Sequence, residues 1–244
     1  MRFAMARAAE TPVLRARPSH PLEDCACAIA FGTEWFHIGC MTAATPCRAA
    51  PGRPREFDLD DAVRDALEVF RQRGYHGASM VDLIAGTKVS RGSLYKAFPD
   101  KRALFFAAFD LYAREALERL GDKLAAGTGR EGIRTALLHY AHVSAQACWQ
   151  KGCLISTATG ELLPDDAQAR ERVAAYYARM LALLADAVRR GQAEGVIDAA
   201  QDAQALARYL QTVIQGLRFV AKTGAEESEL RAVACAAMAA LGPR

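Results

Sequence analysis

The segment that decides the fold covers residues 78–103 and reads ASMVDLIAGTKVSRGSLYKAFPDKRA. Three residues in it are good helix N-caps, namely Ser79, Ser90 and Asp100. Their side-chain oxygens can accept hydrogen bonds from the free backbone N–H groups of the following turn. The short spacing of these caps predicts two brief helices joined by a tight turn, followed at once by the start of a third helix.

Apolar residues form one face on each of the two short helices. They are Met80, Leu83 and Ile84 on the first helix and Val89, Leu94 and Phe98 on the second. Burying these faces against each other leaves Arg91, Ser93, Tyr95 and Lys96 outside. This is the arrangement of a helix-turn-helix, whose second helix enters the major groove of DNA.

The basic charge of the chain is concentrated on the same segment. Residues 71–102 contain seven basic and two acidic side chains, whereas residues 103–244 contain sixteen of each. A basic patch on a helix-turn-helix beside a neutral remainder is typical of a protein that contacts DNA phosphates. A merely solvated surface is the alternative explanation of the charge alone.

The composition is that of a globular protein, with 52% of its 244 residues hydrophobic and 24% charged. No apolar run approaches the roughly 20 residues of a membrane span, and the first residues lack a signal-peptide core. The seven cysteines are scattered and odd in number, which argues against a disulfide framework. We therefore expect a cytoplasmic protein that does not contact a membrane.

Three regions are expected along the chain. Residues 1–54 contain six of the nine prolines and no periodic apolar face, which predicts a disordered N-terminal extension. A native start at Met41 is one hypothesis for it, and its four cysteines do not have the usual zinc-site spacing. A helix-turn-helix domain is expected over residues 55–104 and a helical body over residues 105–244.

A supporting helix is predicted over residues 58–72, where apolar residues recur every three or four positions. From Phe70 through Val-Ser-Arg-Gly-Ser-Leu-Tyr at 89–95 to Phe-Pro-Asp-Lys at 98–101, the chain resembles the DNA-binding domain of the tetracycline-repressor (TetR) family. The resemblance covers about fifty residues, from 55 to 104, without a gap. It implies a three-helix DNA-binding domain followed by a helical domain for ligand binding and dimerisation.

DNA contacts are expected at nine positions, eight of them implied by the resemblance and the ninth, Lys88, expected from its charge. They are Ser79, Lys88, Ser90, Arg91, Gly92, Ser93, Tyr95, Lys96 and Lys101. Arg91 would donate to a guanine or hold a phosphate, and Gly92 would let the helix backbone approach the groove wall. Tyr95 and Lys96 would bind phosphates on either side, with packing or solvation as the alternatives.

Lys88 departs from the family pattern, which usually has glycine in this turn because the backbone there tends to need a positive φ. A lysine in the left-handed region costs roughly 1 kcal/mol. We expect either a slightly reshaped turn or a lysine that is tolerated because it adds a phosphate contact.

The rest of the chain predicts six long or short helices separated by glycine or proline breaks, and no strand. They cover residues 100–124, 130–150, 153–163, 165–194, 199–222 and 226–241. The predicted fold is therefore all-α, with about nine helices.

The last two predicted helices carry apolar stripes, and in the resembled family they pair with their copies in a four-helix bundle. The residues expected at a homodimer interface are Leu206, Tyr209, Leu210, Val213, Leu217, Val233, Ala237 and Leu241. Such a dimer would present two recognition helices roughly 34 Å apart to a palindromic operator. Packing within one chain is the alternative.

A small-molecule site is expected among the helices of the body, again by resemblance. The candidates are large, aromatic or polarizable, as in pockets for organic molecules. They are Phe109, Tyr112, His139, His142, Trp149, Cys153, Tyr176 and Tyr177. Each could equally be plain core. His139 and His142 lie three positions apart without an evident third metal ligand, so we expect no metal and no other cofactor.

Cys148 and Cys153 flank a predicted helix break, with Lys151 between them. A nearby cation lowers the pKa of a thiol and makes it reactive. This supports a second hypothesis, in which the protein senses electrophiles or oxidants through a thiol, while a purely structural role for Cys153 stays open.

We expect a ligand-responsive DNA-binding transcriptional regulator, most simply a homodimeric repressor that a small molecule releases from a palindromic operator. The sequence has no nucleophile elbow, phosphate loop or metal-ligand triad, so an enzyme is not expected. A helical protein-interaction module without DNA binding is the rival class. A gel shift with flanking DNA separates these alternatives.

Overall fold

The computed structural model describes residues 58–146 and 152–242. Within these ranges the chain forms nine helices and no strand, in agreement with the all-α prediction. The helices are α1 (Leu59–Gly77), α2 (Met80–Thr87), α3 (Arg91–Ala97), α4 (Lys101–Leu124), α5 (Gly129–Ala145), α6 (Leu154–Leu162), α7 (Ala167–Ala193), α8 (Ala203–Ala221) and α9 (Glu227–Ala239). The N-terminal extension, its cysteines and the start at Met41 lie outside the described residues.

The three N-caps of the deciding segment are confirmed. Ser79 Oγ and Ser90 Oγ each accept a hydrogen bond from the backbone N–H three residues ahead, at 3.1 and 3.2 Å. Asp100 Oδ1 accepts one in the same way at 2.7 Å. Each cap stabilises its helix by about 1 kcal/mol. The effect matters most for α2 and α3, which are only 8 and 7 residues long.

Buried aromatic and leucine side chains hold the first three helices against the start of α4. The rings of Phe70 and Phe105 meet edge to face, with centroids 5.0 Å apart. Leu83 of α2 and Leu94 of α3 are fully buried in the same core. Because Leu94 fastens the inner side of α3 to this core, the opposite side of α3 faces solvent.

Three helix boundaries differ from the prediction by four or five residues, and one of them is the start of α8, which lies at Ala203 rather than residue 199. α1 continues to Gly77 rather than residue 72, although Gly74 interrupts its helical geometry with φ 75° and ψ 178°. α5 ends at Ala145 rather than residue 150, because Gln146 is extended at φ −73° and ψ 142°. No helix in the described ranges is long and apolar enough to cross a bilayer.

The body is a layered bundle. α4, α5 and α7 pack on one another, α8 covers α5 and α7, and α9 lies mainly on α5 while also touching α8. The short α6 packs against α1, α4 and α7. It therefore contacts both the DNA-binding helices and the body.

The apolar stripes of the last two helices are largely internal. Five residues predicted for a homodimer interface are buried within the single chain, namely Leu206, Leu210, Leu217, Ala237 and Leu241. An apolar stripe indicates a buried face without indicating which chain covers it, and here the chain itself covers these five side chains. Tyr209, Val213 and Val233 keep accessible surface, and their place in an interface stays a prediction.

Candidate nucleic-acid interface and effector cluster

α3 turns a polar face to solvent. Arg91, Gly92, Tyr95 and Lys96 are exposed on it. The Arg91 guanidinium lies 5.5 Å from the centroid of the Tyr95 ring. This cation–π contact holds a guanidinium and a phenol side by side. This face therefore presents the guanidinium donors of Arg91, the hydroxyl of Tyr95 and the ammonium group of Lys96 to solvent.

Gly92 leaves an open site within this face. A Cβ at this position would meet no atom within 4 Å. The glycine is therefore not required for packing in the free chain. Its missing side chain leaves the α3 backbone accessible, which the approach of a DNA groove wall would require.

The serines at the starts of α2 and α3 are already engaged in hydrogen bonds. Ser79 Oγ donates to Asp82 Oδ2 at 2.6 Å, and Ser90 Oγ donates to Ser93 Oγ at 2.9 Å. Hydrogen bonds from the Ser79 hydroxyl and backbone N–H lower the pKa of the Asp82 carboxyl, and the charge of Arg73 lowers it further. Phosphate contacts from these serines stay a prediction.

Lys101 has a structural role in the described chain. Its Nζ donates to the carbonyl oxygens of Tyr75 and Ala78, at 2.9 and 3.1 Å, and lies 4.5 Å from the Tyr75 ring centroid. An ammonium group has three donors, so one remains. The phosphate contact predicted for Lys101 would have to use that remaining donor.

Lys88 adopts the left-handed conformation, with φ 56° and ψ 14°. Its backbone N–H donates to the Ile84 carbonyl at 3.1 Å, which closes α2. The turn therefore keeps its positive φ and tolerates the lysine, whose side chain is exposed beside α3.

A second group of polar side chains is buried inside the body. Arg218 of α8 is only 6% exposed, its Nη2 donates to Tyr112 Oη at 3.4 Å, and its guanidinium lies 5.1 Å from the Tyr140 ring centroid. Burial alone would lower the pKa of Arg218, but Cys153, Tyr112, Tyr140 and Tyr176 raise it well above its ordinary value. We call these five residues the arginine cluster.

Cys153 supplies the thiol of this cluster. It is 3% exposed and precedes the first turn of α6. Burial raises the pKa of its thiol, but the charge of Arg218 and hydrogen bonds with Tyr112 and Ser156 outweigh burial and bring the pKa below its ordinary value. The thiolate is the reactive form of cysteine, so the cluster favours reactivity at a buried position.

A cavity of about 30 Å³ adjoins the arginine cluster. Its lining consists of Ser144, Cys153, Ser156, Arg218, Phe219 and Lys222. Ser144 is 5% exposed, and its Oγ has no hydrogen-bond partner within the described ranges. Phe219 and Lys222 are exposed, so the cavity reaches the surface at the end of α8.

A larger groove of about 780 Å³ runs along the outside of α4 and α7. Phe109 and Tyr176, both buried, lie at its floor, and the exposed side chains of Arg114 and Arg179 lie at its rim. Tyr176 therefore borders both this groove and the arginine cluster.

α6 connects the cluster with the DNA-binding helices. At its start, the Gly152 carbonyl accepts a hydrogen bond from Arg71 Nε of α1 at 3.1 Å. At its end, the Glu161 carboxylate accepts the His76 backbone N–H at 2.8 Å, and His76 Nε2 lies 3.1 Å from the Glu161 carbonyl oxygen. Gly74 makes room for this carboxylate, because a Cβ there would overlap Glu161 Oε1.

Two family models match the chain. One, described as bacterial regulatory proteins of the tetR family, matches residues 63–108, and a tetracyclin repressor-like C-terminal domain matches residues 129–237. The HTH-type transcriptional repressor ComR of Escherichia coli (strain K12) is 30% identical over 200 residues, which cover 79% of this chain and 93% of ComR. The chain belongs to the tetR family of transcriptional regulators.

A solved structure of a relative is also close to this tetR-family chain. It is a cysteine mutant of the TetR family transcriptional regulator CifR complexed with a 26 bp double-strand operator DNA. The two share 32% sequence identity and a TM-score of 0.70, over 78% of this chain and 100% of the CifR chain. The family and this neighbour support double-stranded DNA as a partner, and the relatives are regulators rather than enzymes.

The candidate pocket residues are divided between the two cavities and other places. Tyr112 and Cys153 belong to the arginine cluster, Phe109 to the outer groove and Tyr176 to both, while Tyr177 is half-buried beside them. Trp149, like Cys148, lies outside the described residues. Three of the eight candidates therefore line a cavity, Cys153 the small one and Phe109 and Tyr176 the outer groove.

Of the two histidines of α5, only His139 lies beside the arginine cluster. His142 is exposed, and its Nδ1 is 3.0 Å from a Glu227 carboxylate oxygen. His139 is half-buried with its ring 5.7 Å from that of Tyr140, and burial together with nearby cations lowers its pKa. Within the described ranges no three potential metal ligands come together.

Arg218 and Ser144 were not predicted from the sequence. Arg218 follows Ile214 by four positions and therefore shares the buried face of α8. A charged residue on an apolar stripe was the available signal. Ser144 offered no comparable signal, because a serine on a helix is ordinary until its surroundings are known.

Proposed function

We propose that this regulator is a repressor that holds a palindromic operator as a homodimer and releases it when a small molecule acts on the body. The observation that carries the proposal is the exposed face of α3, where Arg91, Tyr95 and Lys96 surround an open glycine backbone. A guanidinium can pair with a guanine edge, and the other groups suit phosphates. CifR bound to operator DNA supports the same use of the fold.

The dimer surface that we propose is a second, outward stripe of α8. It consists of Tyr209, Val213, Gly216 and Val220, whose spacing places them on one side of the helix. Tyr209 and Val220 are 40% and 47% exposed, and Val233 of α9 adds a side chain that is 49% exposed. A Cβ at Gly216 would meet no atom within 4 Å, so two copies of α8 can approach closely there.

Release of DNA would pass through α6. A change at the arginine cluster would move the start of α6, which follows Cys153. The same helix holds α1 through the hydrogen bonds of Arg71 and His76. A displacement of α6 would therefore reorient the DNA-binding helices, and the ligand must prefer the released state by about 1–3 kcal/mol.

A gel shift with DNA flanking its own gene tests the proposal. Wild type should bind with strong salt dependence, because each neutralised phosphate releases counterions, and should bind as two protomers on a palindrome. Val220→Glu should give monomers and weaken binding to the palindrome. Val81→Glu, at an exposed apolar residue of α2 outside the proposed dimer surface, should remain dimeric. Absence of any shift would favour a protein-interaction module instead.

A second candidate function is thiol-based sensing through Cys153. The lowered pKa beside Arg218 favours it, while Cys148 lies outside the described residues. The thiolate would add to the β carbon of an α,β-unsaturated aldehyde, forming a C–S bond while the α carbon takes a proton from solvent. If Cys153→Ser leaves release of DNA by such an aldehyde unchanged, this candidate is wrong.

A further inference from the structure

An exposed ion pair joins the end of α1 to the start of α2. Arg73 Nη1 lies 3.3 Å from Asp82 Oδ1, and the Arg73 side chain is 55% exposed. The second carboxylate oxygen, Asp82 Oδ2, accepts hydrogen bonds from the Ser79 backbone N–H at 2.9 Å and from Ser79 Oγ at 2.6 Å. The Asp82 carboxylate therefore stabilises the start of α2 and at the same time neutralises a surface cation.

The pairing of Arg73 differs from that of two other arginines in residues 71–102. Among the described residues, three of the seven basic side chains of this segment pair with carboxylates, Arg71 with Glu68, Arg73 with Asp82 and Arg102 with Asp166. Arg71 also donates to the Gly152 carbonyl and Arg102 to Gln168 Oε1, so these two arginines connect the segment to the body. Arg73 instead pairs between α1 and α2, within the DNA-binding domain.

The carboxylate of this pair belongs to the helix that precedes the recognition helix. In a helix-turn-helix this first helix crosses the DNA backbone, so an operator held on the exposed face of α3 brings phosphates close to α2. A guanidinium is a strong ligand for phosphate oxygens. An exposed ion pair in water contributes little free energy. A phosphate can therefore take the Arg73 guanidinium from the Asp82 carboxylate at small cost.

We propose that Asp82 masks Arg73 in the free protein and that Arg73 transfers to a phosphate when DNA binds. Arg73 is then a DNA contact beyond the nine expected from the sequence, and Asp82 competes with DNA for it. Phosphate contacts carry no sequence information, so the mask lowers the affinity for every duplex. Stable binding thereby depends more heavily on the base contacts of α3. The inference rests on the proposed binding of the operator by α3.

Asp82→Asn tests the mask, because it removes the charge that holds Arg73 and keeps an oxygen that can accept the hydrogen bonds of Ser79. Affinity should rise about two- to fivefold, the strength of an exposed ion pair. The gain should be similar for a duplex of DNA that flanks the gene of this protein and for a duplex of unrelated sequence. Fluorescence anisotropy at low salt measures both affinities, and circular dichroism checks that the variant folds.

Asp186→Asn is the matched control. It removes a carboxylate that pairs with Arg189 in α7, so it changes the net charge of the protein by the same amount at a distance from α2. It should bind both duplexes as wild type does. Unchanged or weaker binding by Asp82→Asn, or an equal gain in Asp186→Asn, overturns the proposal.

Arg73→Gln tests the other half of the pair. Loss of one phosphate contact should weaken binding to both duplexes and reduce the salt slope of the affinity by about 1. In the Arg73→Gln background, Asp82→Asn should lose most of its gain, because no guanidinium remains to be released. An unchanged salt slope in Arg73→Gln overturns the proposal. A full gain of Asp82→Asn in that background would mean that Asp82 repels DNA directly, and the mask would be wrong.

Failure of this inference can be told apart from failure of the proposed operator binding. If wild type binds DNA through Arg91 and Tyr95 but Asp82→Asn does not bind more tightly, only the mask is wrong. If wild type and Asp82→Asn bind neither duplex, the proposed operator binding is wrong and the mask is wrong with it.

Discussion

The α3 face and the arginine cluster use the same pair of residue types in opposite surroundings. Arg91 lies 5.5 Å from the Tyr95 ring and Arg218 lies 5.1 Å from the Tyr140 ring. The first pair is exposed, whereas Arg218 and Tyr140 are only 6% and 5% exposed. The two arginine–tyrosine pairs therefore have similar spacing and differ in their exposure to solvent.

The difference separates two tasks. In water, charges are screened and side chains can adapt, so an exposed arginine pair is suited to contact a large polyanion such as DNA. In the protein interior a new charge interacts strongly with its neighbours, because screening is weak. A buried pair is therefore suited to detect one small molecule and to transmit its arrival.

Substitutions at two glycines, one on the exposed α3 face and one in the body, test this difference with the largest expected effects. Gly92 is open, so Gly92→Leu should leave the melting temperature unchanged or higher. It should weaken operator binding roughly 10- to 100-fold, as a steric cost of about 1–3 kcal/mol at the DNA surface implies. Fluorescence anisotropy with labelled operator measures the affinity. Wild-type affinity would mean that DNA does not approach the α3 backbone.

Gly132 is the matched control within the body. A Cβ at Gly132 would overlap the Leu124 carbonyl oxygen. Gly132→Ala should reduce the free energy of unfolding by about 1–3 kcal/mol, measured by urea denaturation. The folded fraction should bind operator with normal affinity. Loss of affinity without loss of stability would contradict the division between the two regions.

The link between the regions is tested at Glu161. Glu161→Ala removes the acceptor of the His76 N–H, so hydrogen exchange of this amide should quicken about tenfold, in line with the loss of a hydrogen bond to a charged group. NMR measures the exchange rate. Glu161→Gln keeps an oxygen acceptor and should have a smaller effect. Equal exchange rates in wild type and Glu161→Ala would show that this hydrogen bond does not link α6 to α1.

The Tyr112→Phe variant tests how the buried arginine cluster acts on the Cys153 thiol. The Tyr112 hydroxyl helps to lower the pKa of the Cys153 thiol, so its removal should raise that pKa and shift the alkylation profile to higher pH. The rate with iodoacetamide at neutral pH should fall about fivefold, the size of one ordinary hydrogen bond. Tyr177→Phe, whose phenol hydrogen-bonds Thr159, is the control. An unshifted Tyr112→Phe profile would contradict the assignment.

Lys88 gives the smallest expected effect. Lys88→Gly should relieve the left-handed backbone and stabilise the protein by about 1 kcal/mol, which raises the melting temperature by roughly 2–4 °C for a chain of this size. Lys88→Ala should not stabilise it, because alanine keeps the strain. Both variants should reduce the salt slope of operator binding by about 1 if Lys88 holds a phosphate. Equal melting temperatures for the two variants would contradict the strain.

The DNA-binding segment was largely readable from the sequence because its signals are local. Ser79, Ser90 and Asp100 cap helices through atoms three residues away, and the positive φ of Lys88 was expected from the glycine that the resembled family has in this turn. The charge excess of residues 71–102 needed only counting. Most of the helices beyond it were also found, since glycine and proline mark their ends.

The body was less readable because its site is assembled from distant segments. Ser144, Cys153 and Arg218 come from α5, the start of α6 and α8, and their proximity depends on how three helices pack. The stripe containing Leu206 and Leu217 shows the same limit. Its helical period predicted burial correctly. The period does not show whether the apolar face is covered by a partner chain or by the rest of the same chain.

Operator affinity of the Arg91→Ala, Tyr95→Ala double variant tests the central claim most directly. Fluorescence anisotropy should give an affinity reduced about a hundredfold or more, because a base contact and a phosphate contact are each worth roughly 1–3 kcal/mol. The melting temperature should be unchanged, since both side chains are exposed. Arg189→Ala, at an exposed arginine of α7, should bind as wild type. A double variant with wild-type affinity would contradict the claim that the exposed face of α3 holds the operator.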